Sequence, residues 1–144
     1  MGTPYTEVID NFSKMITEYK LTKLLEEERD EYIIALMNSA LAKFERTNPE
    51  QLARLDNTQF VNDLEDDEID IICNLMIVEW LKPYLFSVDN LENLMTTKDW
   101  AEYSPANLLR QIRETYDLAR LESKRMVKNY TYTLRKFKRG DWYD

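Results

Sequence analysis

The densest run of reactive groups is Glu65-Asp66-Asp67-Glu68, followed by Asp70. Clustered carboxylates of this kind could hold a divalent cation or share protons in acid–base catalysis. The run lacks the glycine and the alternate-position ligands of a calcium loop, and it leads directly into Ile69, Ile72, Cys73, Met76 and Ile77. It reads as the acidic start of a helix, where the macrodipole favours negative charge. With 27 Asp and Glu side chains in the chain, no pair stands out as general acid and base. Cys73 is the single cysteine, so it forms neither an intramolecular disulfide nor a cysteine zinc cage. It lies among apolar neighbours with no basic residue beside it, which marks it as core. The absence of histidine excludes a Ser-His-Asp triad, a Cys-His dyad and the zincin motifs. Two glycines leave no phosphate-cradling loop of the Walker or dinucleotide type. The expectation is a protein that is not an enzyme, with no catalytic residue, no cofactor and no metal.

The C-terminal end is a different constellation. Lys128, Arg135, Lys136, Lys138 and Arg139 alternate with Tyr130, Tyr132, Phe137, Trp142 and Tyr143. Basic residues with interleaved aromatics bind single-stranded nucleic acid through phosphate contact and stacking. Tyr, Trp and Arg also dominate protein–protein hot spots. The blandest reading is a basic helix end complementing its own dipole. A net charge of −8 repels nucleic acid at long range and favours a protein partner. Charge is also segregated: residues 1–103 carry 9 basic and 22 acidic side chains, a net −13, whereas residues 104–144 carry 10 and 5, a net +5. A basic end is therefore attached to an acidic body.

These groups sit on elements with helical periodicity. Only two Gly and four Pro argue against an all-β sandwich or barrel. Val8, Phe12, Met15, Ile16 and Tyr19 mark one face of a first helix, with Thr3 and Pro4 as its N-cap and N1 pair. A second helix is expected over residues 24–44, with Leu25, Tyr32, Leu36, Ala40 and Phe44 as its stripe and a short helical turn over 49–55 after it. The third, residues 65–82, is apolar over more than half its circumference, which predicts a central helix with Ile72 and Trp80 buried and Pro83 ending or kinking it. Asp89 is expected to cap a short helix through Leu94. Ser104-Pro105 then opens a fourth helix carrying Leu108, Ile112, Tyr116, Ala119, Ser123, Met126 and Tyr130. That helix would be about 39 Å long. Alternating β-branched, aromatic and polar residues after Tyr130 predict an extended arm. The division is thus a helical bundle over residues 1–130 and a basic, aromatic arm over 131–144.

The length of 144 residues suits one domain. The N-terminus has no basic region and no apolar core, so it does not read as a signal peptide. It matches the myristoylation pattern formally, with Gly2 and Thr6, but no polybasic partner lies nearby. The longest apolar run, residues 69–81, is too short to span a bilayer. A reducing compartment and no membrane are expected.

The segments Trp80-Leu81-Lys82-Pro83 and Lys98-Asp99-Trp100-Ala101-Glu102-Tyr103-Ser104-Pro105-Ala106-Asn107-Leu108-Leu109 resemble small helical neck proteins encoded among the virion structural genes of tailed bacteriophages. These are the head-to-tail connector, or adaptor, proteins placed between portal and tail. The similarity covers about residues 65–130 and involves no catalytic signature. It implies a small α-helical bundle, which together with the periodicity gives an all-α fold with one long C-terminal helix and an extended C-terminal arm. It implies a homo-oligomeric ring of roughly twelve subunits, built on head-to-tail contacts. The implied partners are the portal protein and a downstream neck or tail protein, with DNA passing non-specifically through the bore. Tyr132, Arg135, Lys136, Phe137, Lys138, Arg139, Trp142 and Tyr143 would bind the portal or a neighbouring subunit. The implied location is the virion neck, after synthesis in the host cytoplasm. Two rivals stand beside this reading: a nucleic-acid-associated helical regulatory protein using the basic tail, and a small helical enzyme with a carboxylate site.

Overall fold

Among the described residues, four α-helices and one 3-10 turn follow one another as α1 (Tyr5–Glu18), α2 (Asp30–Phe44), the 3-10 turn Glu45–Thr47, α3 (Asp66–Phe86) and α4 (Pro105–Arg139). The computed structural model describes residues 2–18, 21, 30–86 and 105–139, the side chains of 105, 106 and 137–139 excepted. Among the described residues there is no β-strand, only two isolated backbone bridges. The fold class is therefore all-α, a small helical bundle with one long C-terminal helix, as composition and periodicity predict. None of the described helices is long and apolar enough to cross a membrane.

α3 is the centre. It packs against α4, α2 and α1, most extensively against α4. Eleven of its 21 residues are buried, on no single face, because neighbours cover it from several sides. Ile72 and Trp80 are both fully buried, as predicted. The Trp80 ring meets Phe12 of α1 edge to face, 5.8 Å between centroids. Asp66, Asp67 and Glu68 occupy the first turn of α3. Glu68 reaches back to accept the Glu65 N–H at 2.7 Å, one arm of a capping box. The helix does not end at Pro83 but continues to Phe86. Proline removes one backbone hydrogen bond there. Apolar side chains on both sides, Trp80 and Leu81 before it and Tyr84 and Leu85 after it, pack on the core and hold the turn.

Three other expectations are corrected. Tyr32 is 38% exposed, and α2 instead buries Ile33, Leu36, Met37, Ala40, Leu41 and Phe44. Those positions form a broad stripe at helical spacing, and Tyr32 stands at its edge, one turn before Leu36. Thr3 does not cap α1; its hydroxyl accepts the Leu64 N–H at 2.7 Å, just ahead of α3. Residues 2–5 run antiparallel to the 58–62 segment, with Phe60 N–H donating to Thr3 O at 2.9 Å and Tyr5 N–H to Thr58 O at 2.8 Å. Gly2 permits this approach, because a Cβ there would meet the Phe60 carbonyl oxygen at 1.6 Å. The helical turn expected over 49–55 is confined to 49–52, where Leu52 N–H donates to Asn48 O at 3.1 Å; 53–61 instead fold back on themselves, with Val61 N–H donating to Ala53 O at 2.9 Å. Asp56 closes that bend by accepting the Thr58 hydroxyl and backbone N–H, bonds that hold its carboxyl below the usual carboxylate range. Residues 22–29, where the second helix was expected to begin, lie outside the described residues, as do Tyr19, Leu25, Trp100 and the segment expected to follow Asp89.

Candidate partner-binding surface

α4 determines where the basic end lies. Its buried positions, Leu108, Ile112, Thr115, Ala119 and Ser123, recur every three or four residues and face α3. The same face continues through Met126, Val127 and Tyr130, which pack on the core from partly buried positions. The helix does not stop at Tyr130. It runs to Arg139, 35 residues in all, so residues 131–139 are helical and not an extended arm. Side chains continue to repay helical geometry beyond Tyr130: Thr131 and Leu134 are half-buried beside Arg46 and Thr47 of the 3-10 turn. Alternation of β-branched and aromatic residues is a weak preference, and tertiary packing overrides it here.

Tyr130 is an anchor. Its hydroxyl donates to Glu68 Oε2 at 2.6 Å and accepts from Asn48 Nδ2 at 2.9 Å. Its ring stands edge-on to Phe44, 5.1 Å between centroids. Burial, and then the hydrogen bond to the Glu68 carboxylate, push the phenol above its ordinary pKa, so the hydroxyl stays protonated and donating. Glu68 is 2% exposed and also accepts from Gln51 Nε2 at 3.1 Å. This network ties the 3-10 turn, the start of α3 and the later turns of α4 together. Beside it lies an open cleft of about 670 Å³, with Ile71, Met126 and Leu134 as apolar lining and Glu65, Asp67 and Arg125 as charged lining. Sequence reading missed the role of Glu68. Its one signal was the Glu three residues into an acidic helix start.

The expected partner-binding residues distribute unequally. Tyr132 is 67% exposed, Arg135 is exposed and Lys136 is half-buried. Phe137, Lys138 and Arg139 lie in the last turn of α4. Trp142 and Tyr143 lie outside the described residues. The exposed side of α4 is larger than the tail alone. Arg110, Arg113, Arg120, Lys124 and Lys128 lie along one side at helical spacing, all exposed, with the exposed Asp117 among them. Next to them run Leu118, Leu121, Arg125 and Tyr132, an apolar and basic stripe with Leu118 45% and Leu121 66% exposed. Arg125 also bonds Glu122 at 2.6 Å.

Cys73 is buried, accepts from Asn11 Nδ2 at 3.2 Å and faces the Val8 carbonyl oxygen at 3.4 Å. Burial pushes its thiol up to about 12, which removes the thiolate needed for nucleophilic chemistry. Among the described residues, no group of three or more Cys, Asp and Glu is placed to hold a metal ion. No protein-family model, curated protein or solved structure matches this chain.

Proposed function

We propose that the protein is a non-enzymatic virion structural component, a head-to-tail connector (adaptor) of the tailed-phage type. In this reading its subunits form a ring between portal and tail through which DNA passes. The observation that carries it is the single long helix α4, locked into an acidic all-α body by Tyr130 and carrying the basic, aromatic end beyond that lock. A charged, aromatic helix end held on a rigid element suits docking into an acidic partner such as the portal or a downstream neck protein. The acidic body suits a conduit that must not grip its cargo, since like charge opposes phosphate contact. The runner-up, a nucleic-acid-associated regulator, draws on the exposed basic residues from Arg110 to Lys128. The net charge of −8 weighs against it.

Deleting residues 137–144 tests the connector reading without cutting the packed turns at Thr131 and Leu134. The truncated chain is expected to keep its helical circular dichroism and to be absent from purified particles. Normal incorporation of the truncated chain would sink the docking role of the helix end. Absence of the intact protein from virions at portal stoichiometry would sink the connector reading itself.

A further inference from the structure

Among the described residues, nothing covers one side of α4. Between residues 107 and 136 it carries eight basic and three acidic side chains. Two such helices would repel one another, so this side calls for an acidic partner. A groove of that charge exists on the same molecule, between α1 and the start of α3. Glu7, Asp10, Asp66 and Asp70 line it, all exposed, with Lys14 the only cation in its lining among the described residues. The groove measures about 460 Å³ and has Ile69 at its base. It cannot be filled by α4 of its own chain, since α1 and α4 flank different sides of α3. Cys73 faces Val8 of α1, while the neighbouring Asn74 faces Met126 of α4, 3.7 Å from its sulfur. Successive residues on a helix point about 100° apart.

We propose that the outer side of α4, centred on Leu121, Arg125, Lys128 and Tyr132, docks onto the α1–α3 acidic groove of a second copy. The partner is assigned by charge: a basic helix with two exposed leucines meets four carboxylates around an apolar base. Donor side and acceptor groove are different surfaces, so the contact is heterologous and repeats from subunit to subunit. The inference takes its setting from the connector reading and supplies what that reading leaves open, namely which surfaces join neighbours.

The test is sedimentation of the full-length chain at low ionic strength, up to about 1 mM, a concentration that detects even weak contacts. The wild type is expected to form species larger than the monomer that dissociate as salt is raised above the screening range. R125E/K128E and E7K/D10K should each weaken association by about 100-fold, since like charges then face each other. Both pairs sit on exposed helix surface, and circular dichroism checks that each variant is folded. The chain carrying all four changes should associate again. A wild type that stays monomeric overturns the proposal, as does association that ignores both charge reversals. Two weakened variants without rescue in the combined chain overturn the pairing of these two surfaces. Incorporation into particles is scored separately: self-association with no virion incorporation leaves this interface standing and removes the connector reading.

Discussion

Replacing Tyr130 by Phe isolates one hydroxyl. The ring and its edge contact with Phe44 stay, and no cavity forms. What goes is the 2.6 Å bond to Glu68 Oε2 and an acceptor for Asn48 Nδ2 at 2.9 Å. Asn48 is half-buried and turns to water at little cost. Glu68 cannot, being 2% exposed; Oε1 keeps the Glu65 N–H and Gln51, but Oε2 loses its donor. A hydrogen bond to a charged group contributes about 1.5–3 kcal/mol, and breaking it leaves a desolvated carboxylate oxygen. The expected loss is about 2 kcal/mol, which for a chain of this size lowers Tm by about 7 °C. Urea unfolding should show this as a lower midpoint with unchanged slope. Tyr130→Phe combined with Glu68→Gln should reveal a coupling of about 1 kcal/mol, because each change removes the same charged bond. A loss below about 0.5 kcal/mol, the range of unremarkable surface changes, would refute the reasoning. Tyr130 would then belong to a loosely held end and not to the lock on α4.

Trp80→Ala should cost about 3–5 kcal/mol in urea unfolding, as for other large aromatic truncations in a core; a loss under about 1 kcal/mol would undo the central role of α3. Cys73 should resist thiol-specific alkylation at neutral pH in the folded protein and react in urea, and prompt labelling of the folded chain would contradict its burial. Its thiol also sets an alkaline limit. The folded value, about 12, lies above the ordinary 9.0, so the unfolded chain loses its proton first as pH rises. Its contribution is fully present below pH 9 and is lost progressively toward about 12. Tyr130 and Tyr5 are raised in the same direction and act the same way above their ordinary value of 10.0. Unfolding free energy should therefore fall above pH 9, and a flat profile from 9 to 12 would show that these groups are solvated in the folded state.

Most of the helical frame was legible in the chain itself. Spacing of Val8, Phe12 and Ile16 located α1, and apolarity over more than half the circumference of the helix expected at 65–82 identified α3 as central, with Trp80 in the core. Such patterns are local, because a helix repeats every 3.6 residues and its buried face shows in any short window. Segregation of charge was equally visible, being a property of composition. The antiparallel approach of residues 2–5 to 58–62 was not, since the partners are more than fifty positions apart and no periodicity records them. Thr3 illustrates the point: a hydroxyl before Pro4 is a good cap by type, yet the fold brings Leu64 N–H to it. The last turns of α4 were misread for a related reason. Thr131, Tyr132 and Thr133 have weak helical preference, but the anchor of Tyr130 on Asn48 and Glu68 and the packing of Thr131 and Leu134 beside the 3-10 turn keep these turns helical. The residue types at the basic end were plain from the sequence. That they extend from a locked helix, and that an acidic groove lies on the other flank of α3, only tertiary structure decided, because both depend on which faces of α3 its neighbours cover.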